Sequence, residues 1–218
     1  MKSIKDINNS KNKVVIIDYN MGNLTSVVNA IKYVGGEVMI SNKIEDIKEA
    51  THLILPGVGA FGDGMKNLKD LGLIELLREQ VMKKEKPFLG ICLGMQLLAE
   101  KGYEGGLNEG LGYIKGEVKR FDFKNKDLRV PHVGWNEINL KKDCPLFNDL
   151  KESEVFYFVH SYHLILQEND IITGTCDYGG KFVATIQKNN IFATQFHPEK
   201  SQKPGLKILK NFINYKKC

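Results

Sequence analysis

Residues 87–96 read PFLGICLGMQ, an apolar run that ends in a turn framed by two glycines, Gly90 and Gly94, with Cys92 between them. The apolar half, 87–91, is typical of a strand that is buried on both faces of a parallel sheet. The G-x-C-x-G half is an analogue of the nucleophile elbow, a sharp strand-to-helix turn that exposes its central side chain. The stretch therefore predicts an α/β fold that displays Cys92 at the end of a central strand.

Upstream of this stretch, short apolar runs alternate with amphipathic helices from Val14 to about Gly102, which indicates a parallel sheet covered on both faces. The predicted strands are 14–18, 37–40, 52–55 and 87–91. One predicted helix has apolar residues at helical spacing and stops at Gly35-Gly36; these residues are Leu24, Val27, Val28, Ile31 and Val34. A second, long helix is predicted from the inward residues Met65, Leu68, Ile74, Leu77 and Val81.

From about Ile114 the sequence becomes rich in β-forming residues. The predicted segments are 117–121, 133–140, 154–166, 182–187 and 191–196. Asn189-Asn190 predicts a tight turn between the last two segments. We expect these segments to be antiparallel additions to the same sheet, followed by a final helix with one apolar face formed by Leu206, Leu209, Phe212 and Ile213.

The composition favours one domain in a reducing compartment. The chain has 218 residues, 42% of them hydrophobic, which is enough for one core; we expect a single domain at 13–218 after a polar, loosely ordered leader at 1–12. The net charge of +5 is scattered instead of forming a stripe, which argues against a nucleic-acid partner. The four cysteines form no CxxC pair, so neither a metal site nor a disulfide framework is expected.

Two further absences in the sequence favour the cytoplasm. No run approaches the roughly 20 apolar residues of a membrane span. Residues 1–12, MKSIKDINNSKN, lack the apolar core of a signal peptide. We therefore expect a cytoplasmic protein without a membrane partner.

A glycine-rich loop at 56–62, PGVGAFG, contains G-x-G-x-x-G between a strand and a helix, which is the pattern of a dinucleotide site. Such a site needs an acidic residue at the end of the next strand, but that strand ends in Cys92. We therefore prefer a loop whose backbone N–H groups point at a developing negative charge. No cofactor is expected on this interpretation.

The sequence His197-Pro198-Glu199 follows an apolar strand and supplies a candidate base. Residues two apart on an extended chain point to the same side, so the carboxylate can orient the imidazole. A lone cysteine is usually a small buried hydrophobe, and a lone histidine is usually structural. The framed Cys92 and the His197–Glu199 pair together favour a catalytic triad over these ordinary explanations.

These residues resemble the class I glutamine amidotransferases, and among them the glutaminase subunits of the histidine pathway. The resemblance covers the chain beyond residue 12. The motifs that carry it are GICLGMQ at 90–96, FHPE at 196–199, DYNMGNL at 18–24, PHVGWN at 131–136, VHSY at 159–162, HPEKSQ at 197–202, GL at 205–206 and LKNF at 209–212. The resemblance implies a flavodoxin-like three-layer fold with a mostly parallel central sheet.

The resemblance also implies a role for each matching residue. Cys92, His197 and Glu199 would be the triad, and the backbone N–H groups of Leu93 and Val58 would stabilise the oxyanion. The matching glutamine-binding positions are Gly59, Gln96, Glu104, Ser161 and Tyr162, the last two mostly through main chain. For Glu104, a solvated surface carboxylate is the ordinary alternative. Asn20 replaces the usual glycine of its motif, and asparagine tolerates the positive φ that the turn needs.

The resemblance implies a partner that uses the ammonia, a (β/α)₈ cyclase forming a heterodimer with this chain. Ammonia is a nucleophile only while unprotonated, and no second site for a phosphorylated acceptor is visible here. The matching interface positions are Asn23, Trp135, Tyr157 and Lys200. For Trp135, plain core packing is an equal alternative.

Three rival functions stay open from the sequence. The same glutaminase chemistry could supply a partner that modifies sugars. A stand-alone cysteine hydrolase acting on γ-glutamyl peptides would share the cysteine and histidine. A catalytically idle binding module is disfavoured because all three triad residues are present.

Overall fold

The computed structural model describes residues 12–123, 128–140, 143–151 and 153–216. Its strands are β1 Lys13–Ile17, β2 Glu37–Ser41, β3 His52–Gly57, β4 Phe88–Cys92, β5 Lys101–Gly102, β6 Asn108–Glu109, β7 Gly116–Arg120, β8 His132–Leu140, β9 Ser153–His160, β10 Tyr162–Leu166, β11 Ile172–Asp177, β12 Lys181–Lys188 and β13 Ile191–Thr194. Its α-helices are α1 Leu24–Tyr33, α2 Ile44–Glu49, α3 Phe61–Asp70, α4 Leu73–Leu77, α5 Leu93–Gln96 and α6 Gln202–Asn214.

Nine of the described strands form one large sheet, in the order β2-β1-β3-β4-β13-β12-β11-β8-β9. The first five strands of this order are mutually parallel, and the remaining pairings are antiparallel. The predicted fold class, a mostly parallel sheet with antiparallel additions, is confirmed. Because β4 lies between β3 and β13, Cys92 is placed at the end of an interior strand of the parallel part.

The central strands are buried on both faces, as their continuous apolar sequences predict. In β1, Val14 and Ile16 pack toward α1 and α6, whereas Val15 and Ile17 pack toward α2, α3 and α4. Side chains alternate between the two faces of a strand, so both helix layers share one sheet. The result is the expected three-layer arrangement.

The C-terminal strands differ from the expectation in two ways. The segments 117–121 and 162–166 do not join the large sheet; β10, β7, β5 and β6 form a second sheet. The predicted segment 154–166 breaks at Ser161 into β9 and β10 for this reason. In addition, β13 is parallel to β4, so it extends the parallel part of the sheet. Residue patterns give strands but not partners, which is why these pairings were predicted wrongly.

The long helix predicted after the glycine-rich loop is also interrupted. It divides into α3 and α4 at Gly72, whose φ of +67° lies in the left-handed region, and it continues as a π-helical turn at Arg78–Lys83. The tight turn at Asn189-Asn190 is confirmed, with Asn189 at a φ of +53°. The predicted leader lies outside the described residues except for Asn12, whose side-chain amide donates to the carbonyl oxygen of Ile213.

Within the described residues, no helix is long and apolar enough to cross a membrane. In the same part of the chain, no group of three or more His, Cys, Asp or Glu residues could hold a metal ion.

Candidate active site

Cys92 lies at the end of β4 in a strained backbone conformation. Its φ is +54° and its ψ is −107°, values that a residue with a Cβ rarely adopts. The α-helix that follows, α5, is a single turn, so the expected contribution of a helix dipole to the sulfur is small. The strain itself, at a residue with a reactive side chain, is the observation that marks a functional position.

The two glycines of the elbow are required by close backbone contacts. A Cβ on Gly90 would lie 2.7 Å from the carbonyl oxygen of Gly94, and a Cβ on Gly94 would lie 1.7 Å from the carbonyl oxygen of Leu55. Leu55 belongs to β3, the neighbour of β4 in the sheet. Neither position therefore has room for a side chain.

His197 and Glu199 form the predicted pair. Nδ1 of His197 lies 2.8 Å from Oε1 of Glu199, and both side chains are buried. The backbone that brings them together is not the extended one expected, because Pro198–Lys200 is a turn of 3-10 helix. The turn still brings the carboxylate to the Nδ1 edge of the imidazole, so the expected contact is made.

Ser201, which sequence reasoning did not single out, and the backbone of Tyr157 hold this turn against β9. The backbone N–H of His197 donates to the carbonyl oxygen of Tyr157 at 3.0 Å. Ser201 Oγ accepts the N–H of Tyr157 at 3.0 Å and donates to the carbonyl oxygen of His197 at 2.6 Å. A buried serine just after a catalytic motif is the only sequence signal for this role, and it is weak.

Burial and two neighbouring side chains act in opposite directions on the pKa of His197. Burial lowers the pKa of the imidazole. The charge of the Cys92 sulfur, its hydrogen-bonding contribution and the Glu199 carboxylate raise the pKa, and the net result is a pKa of about 10. No hydrogen bond of ordinary geometry reaches Nε2 of His197 among the described residues. We conclude that the sulfur acts on the ring more through its charge than through an aligned hydrogen bond, and that the protonated imidazole is favoured.

We expect Glu199→Gln to lower activity at least about tenfold at pH 8 and to move the alkaline loss of activity to lower pH. The folded pKa of His197 is raised above its ordinary value of 6.5, so the stabilisation of its protonated form is present below pH 6.5 and is lost as pH rises through about 10. Removing the carboxylate charge lowers the pKa of His197, so activity is lost at a lower alkaline pH. Rates of glutamine hydrolysis between pH 6 and 11 would measure the change.

Glu45→Gln is the matched control, because Glu45 is an exposed carboxylate on α2, far from the imidazole. Its pH profile should follow that of the unmodified chain. An unchanged alkaline limit in Glu199→Gln would show that the carboxylate does not support the protonated ring.

A cavity of about 410 Å³ opens beside Cys92. Its lining includes every residue predicted to bind substrate or to stabilise the oxyanion; these residues are Val58, Gly59, Leu93, Gln96, Glu104, Ser161 and Tyr162. The structure therefore brings the predicted positions together, while their individual roles stay predictions. The size suits a small amino acid.

Glu104 is not the solvated surface carboxylate of the alternative interpretation. It is half-buried, lines the cavity, and its Oε2 accepts the N–H of Phe61 at 2.9 Å, at the first residue of α3. An anchored carboxylate in a small cavity can bind an ammonium group.

The glycine-rich loop lies between this cavity and a narrow crevice. Val58 lines both, and the crevice is also bordered by His197, Glu199, Asn23 and Lys200. The predicted dinucleotide alternative finds no support here, because the loop faces Cys92 and the next strand ends in that cysteine. Asn20 has the expected positive φ of +61°.

Two of the predicted interface residues, Trp135 and Tyr157, are neighbours on one face of β8 and β9, and Lys200 lies close to Tyr157. Trp135 is 46% exposed, which contradicts the alternative of core packing, and its ring lies 5.7 Å from that of Tyr157. Nζ of Lys200 lies 5.8 Å from the centre of the Tyr157 ring. Asn23 is exposed at the start of α1.

Comparisons with known proteins agree with this site. The family model described as glutamine amidotransferase class-I matches residues 15–215, and the chain belongs to this family of enzymes. It is 51% identical over 200 residues to the imidazole glycerol phosphate synthase subunit HisH 1 of Campylobacter jejuni, covering 92% of this chain and 98% of that protein. It is 50% identical over 201 residues to the subunit HisH of Aquifex aeolicus, covering 92% and 95%.

Solved structures show the same fold at lower sequence identity. PurLQS of Thermotoga maritima superposes with a TM-score of 0.71 at 19% identity, covering 94% of this chain and 99% of that one. The glutaminase domain of Trypanosoma brucei CTPS superposes with a TM-score of 0.62 at 14% identity, covering 94% and 96%. These similarities concern the fold alone.

Proposed function

We propose that this chain hydrolyses glutamine to glutamate and ammonia through Cys92, His197 and Glu199, and that the ammonia passes to a (β/α)₈ cyclase subunit that makes imidazole glycerol phosphate in the histidine pathway. The observation that carries the proposal is the strained Cys92 elbow, which opens onto a cavity of amino-acid size beside a buried imidazole–carboxylate pair. The similarity to HisH subunits supports this acceptor over a sugar-modifying partner and over a stand-alone γ-glutamyl hydrolase.

The reaction begins when the Cys92 sulfur attacks the side-chain amide carbon of glutamine. The N–H groups of Leu93 and Val58 stabilise the resulting oxyanion, and protonated His197 gives its Nε2 proton to the departing nitrogen. Ammonia leaves and a thioester remains. His197 then takes a proton from water, the hydroxide attacks the thioester carbon, and glutamate and the anionic sulfur are released. Glu199 holds the Nδ1–H of the ring throughout.

Substrate glutamine would be held at both ends. The carboxylate of Glu104 faces its α-ammonium, while Gly59, Gln96, Ser161 and Tyr162 surround the rest of the molecule. A γ-amide held within reach of Cys92 gains the advantage of proximity. No metal or cofactor takes part in this scheme.

The exposed apolar face of β8 and β9 is the docking surface that we propose for the cyclase. Val133, Trp135 and Val155 are between 44% and 55% exposed, and cross-strand pairing puts Tyr157 and Val159 on the same face. Exposed apolar side chains grouped on one face mark a protein interface. The backbone of Tyr157 also holds the His197 turn, so this face is continuous with the triad.

We expect glutamine hydrolysis by the chain alone to be slow and to rise on the order of a hundredfold when the cyclase is present and loaded with its acceptor. The physical reason is that the partner contacts β9, whose carbonyl groups touch both Cys92 and His197. Glutamate release, measured for the chain alone and with the loaded and unloaded partner, tests this. Equal rates in all states would show that the partner does not activate glutamine hydrolysis. Strong cleavage of γ-glutamyl peptides without the partner would favour a stand-alone γ-glutamyl hydrolase.

Trp135→Ala extends the same experiment to the docking surface. A buried aromatic anchor contributes about 2 kcal/mol or more, so the variant should bind the cyclase at least about thirtyfold more weakly by calorimetry. Tyr33→Ala is the matched control, because Tyr33 is an exposed aromatic residue at the end of α1. Equal affinity in both variants would place the interface elsewhere.

We further propose the cytoplasm as the compartment. A reactive thiol at Cys92 and the buried free thiols of Cys144 and Cys176 suit a reducing environment.

A further inference from the structure

A chain of hydrogen bonds that the triad does not use runs through the core beside the cavity. Nδ1 of His160 lies 2.8 Å from the carbonyl oxygen of Tyr162, and Nε2 of His160 lies 3.0 Å from Nδ1 of His132. Nε2 of His132 lies 2.8 Å from Oδ1 of Asn136. Both imidazoles are buried, and the mechanism above assigns no role to either.

The directions of these hydrogen bonds follow from the carbonyl oxygen of Tyr162 together with the neutral state of the His160 ring. The carbonyl oxygen of Tyr162 can only accept, so His160 carries a proton on Nδ1. Burial lowers the pKa of His160 to about 3, so its ring is neutral and its Nε2 must accept. The donor in that contact is therefore Nδ1–H of His132, whose Nε2 accepts in turn. Because Oδ1 of Asn136 cannot donate, this direction requires the side-chain amide of Asn136 to be turned over so that its NH₂ group takes the place of Oδ1, an exchange that the equal shape of the two ends allows.

Two glutamines, Gln96 and Gln195, connect the carbonyl oxygen of Tyr162 to the sulfur of Cys92. Nε2 of Gln96 donates to the carbonyl oxygen of Tyr162 at 2.9 Å and to Oε1 of Gln195 at 3.1 Å. Both amide hydrogens of Gln96 are thereby used, so its carbonyl oxygen is the group left for the cavity. Gln195 is fully buried, and its Nε2 lies 3.7 Å from Sγ of Cys92.

The Tyr162 carbonyl is thus the point where the two halves meet. It accepts two hydrogen bonds, one from His160 and one from Gln96, and so has no lone pair left for substrate. A carbonyl with both acceptor positions filled is held in place more firmly than one with a single donor. If the donor from His160 were lost, the buried carbonyl would be free to shift, and the amide of Gln96 would no longer have a fixed orientation.

We propose that His160 is a positioning residue for substrate binding: by fixing the Tyr162 carbonyl, it holds Gln96 with its carbonyl oxygen toward the donor groups of glutamine. This inference rests on the proposed function, because it takes the cavity as the glutamine site. His160 acts on binding through Gln96 and does not contact the reacting atoms. Its loss therefore weakens substrate binding more than it slows the chemistry.

Two variants of His160 separate positioning from a merely structural role. The amide nitrogen of Asn is as many bonds from Cβ as Nδ1 of His, whereas the amide of Gln corresponds to Nε2. His160→Asn keeps the donor to Tyr162 and loses the contact with His132; His160→Gln does the reverse. We expect His160→Gln to raise KM for glutamine about tenfold with kcat within about threefold, and His160→Asn to keep KM within about twofold.

The experiment measures KM and kcat with the full chain and its cyclase partner, and ¹⁵N NMR of the imidazoles in the unmodified chain. The expected spectrum shows both His160 and His132 neutral and protonated on Nδ1. Equal KM values in the two variants, or an Nε2–H tautomer of His160, would overturn the proposal. If a variant does not fold, the NMR spectrum of the unmodified chain still tests the proposal through the tautomer of His160. Absence of glutamine hydrolysis in the unmodified complex would refute the proposed function, whereas the tautomers do not depend on it.

Discussion

Replacing Cys92 with alanine is expected to lower glutamine hydrolysis at least about 10⁴-fold, because among the described residues that line the cavity it supplies the only sulfur and no other group is a comparable nucleophile. The fold should be preserved. The thiol makes only long contacts, 3.9 Å to the carbonyl oxygen of Val159 and 3.7 Å to the amide of Gln195, so little stabilising interaction is lost. Steady-state hydrolysis and thermal unfolding of the variant measure both effects.

The same variant should change the titration of His197. Without the charge of the sulfur, the pKa of the imidazole falls from about 10 toward lower values, because burial then opposes only the Glu199 carboxylate. An NMR titration of the ring would detect this. Cys144→Ala is the control, since Cys144 is a buried thiol outside the cavity, and burial raises its pKa to about 11. Undiminished hydrolysis in Cys92→Ala would refute the assigned nucleophile.

Gly94→Ala is expected to have the second large effect, on stability and activity together. The added Cβ would lie 1.7 Å from the carbonyl oxygen of Leu55, a backbone atom in the middle of the sheet that cannot rotate away. Either β3 or the elbow must move, and such overpacking costs about 3 kcal/mol. A displaced elbow also moves Cys92 relative to His197. We expect a lower urea midpoint and at least about a hundredfold loss of hydrolysis in the fraction that remains folded.

Gly64→Ala gives the comparison for the same change in a helix of the same layer. Its Cβ would lie 3.2 Å from a methyl group of Leu97, a side-chain atom that can adjust, and alanine favours the helical conformation of α3. Its stability should stay within about 1 kcal/mol of the unmodified chain. A Gly94→Ala protein as stable as this control would show that the contact with Leu55 is not what requires glycine.

The elbow and the triad could be predicted from the sequence because their signals are local. The glycines at 90 and 94 restrict a single turn, and Glu199 reaches the ring of His197 from two residues away. The strands of the parallel half were recognisable for a similar reason, since burial on both faces leaves a continuous apolar run.

Other features depend on contacts between residues far apart in the chain. Glu104 could not be distinguished from a surface carboxylate until α3 supplied the N–H of Phe61. The exposure of Trp135 could not be read from its sequence because strand residues alternate between faces, and only the partner strand shows which face is covered. The network through His160, His132 and Gln195 joins segments separated by more than twenty residues, and no local pattern indicates it.

The sequence by itself determined the class of fold, through the alternation of apolar runs and amphipathic helices along the chain. It also determined the turn that carries the nucleophile and the histidine–carboxylate pair, because each of these is encoded within a few neighbouring residues. The tertiary structure alone decided which strands pair, which side of β8 and β9 is exposed and which way each buried amide and imidazole points. The physical reason is that a buried polar group takes its orientation from the partner that satisfies it, and that partner is brought close only by folding.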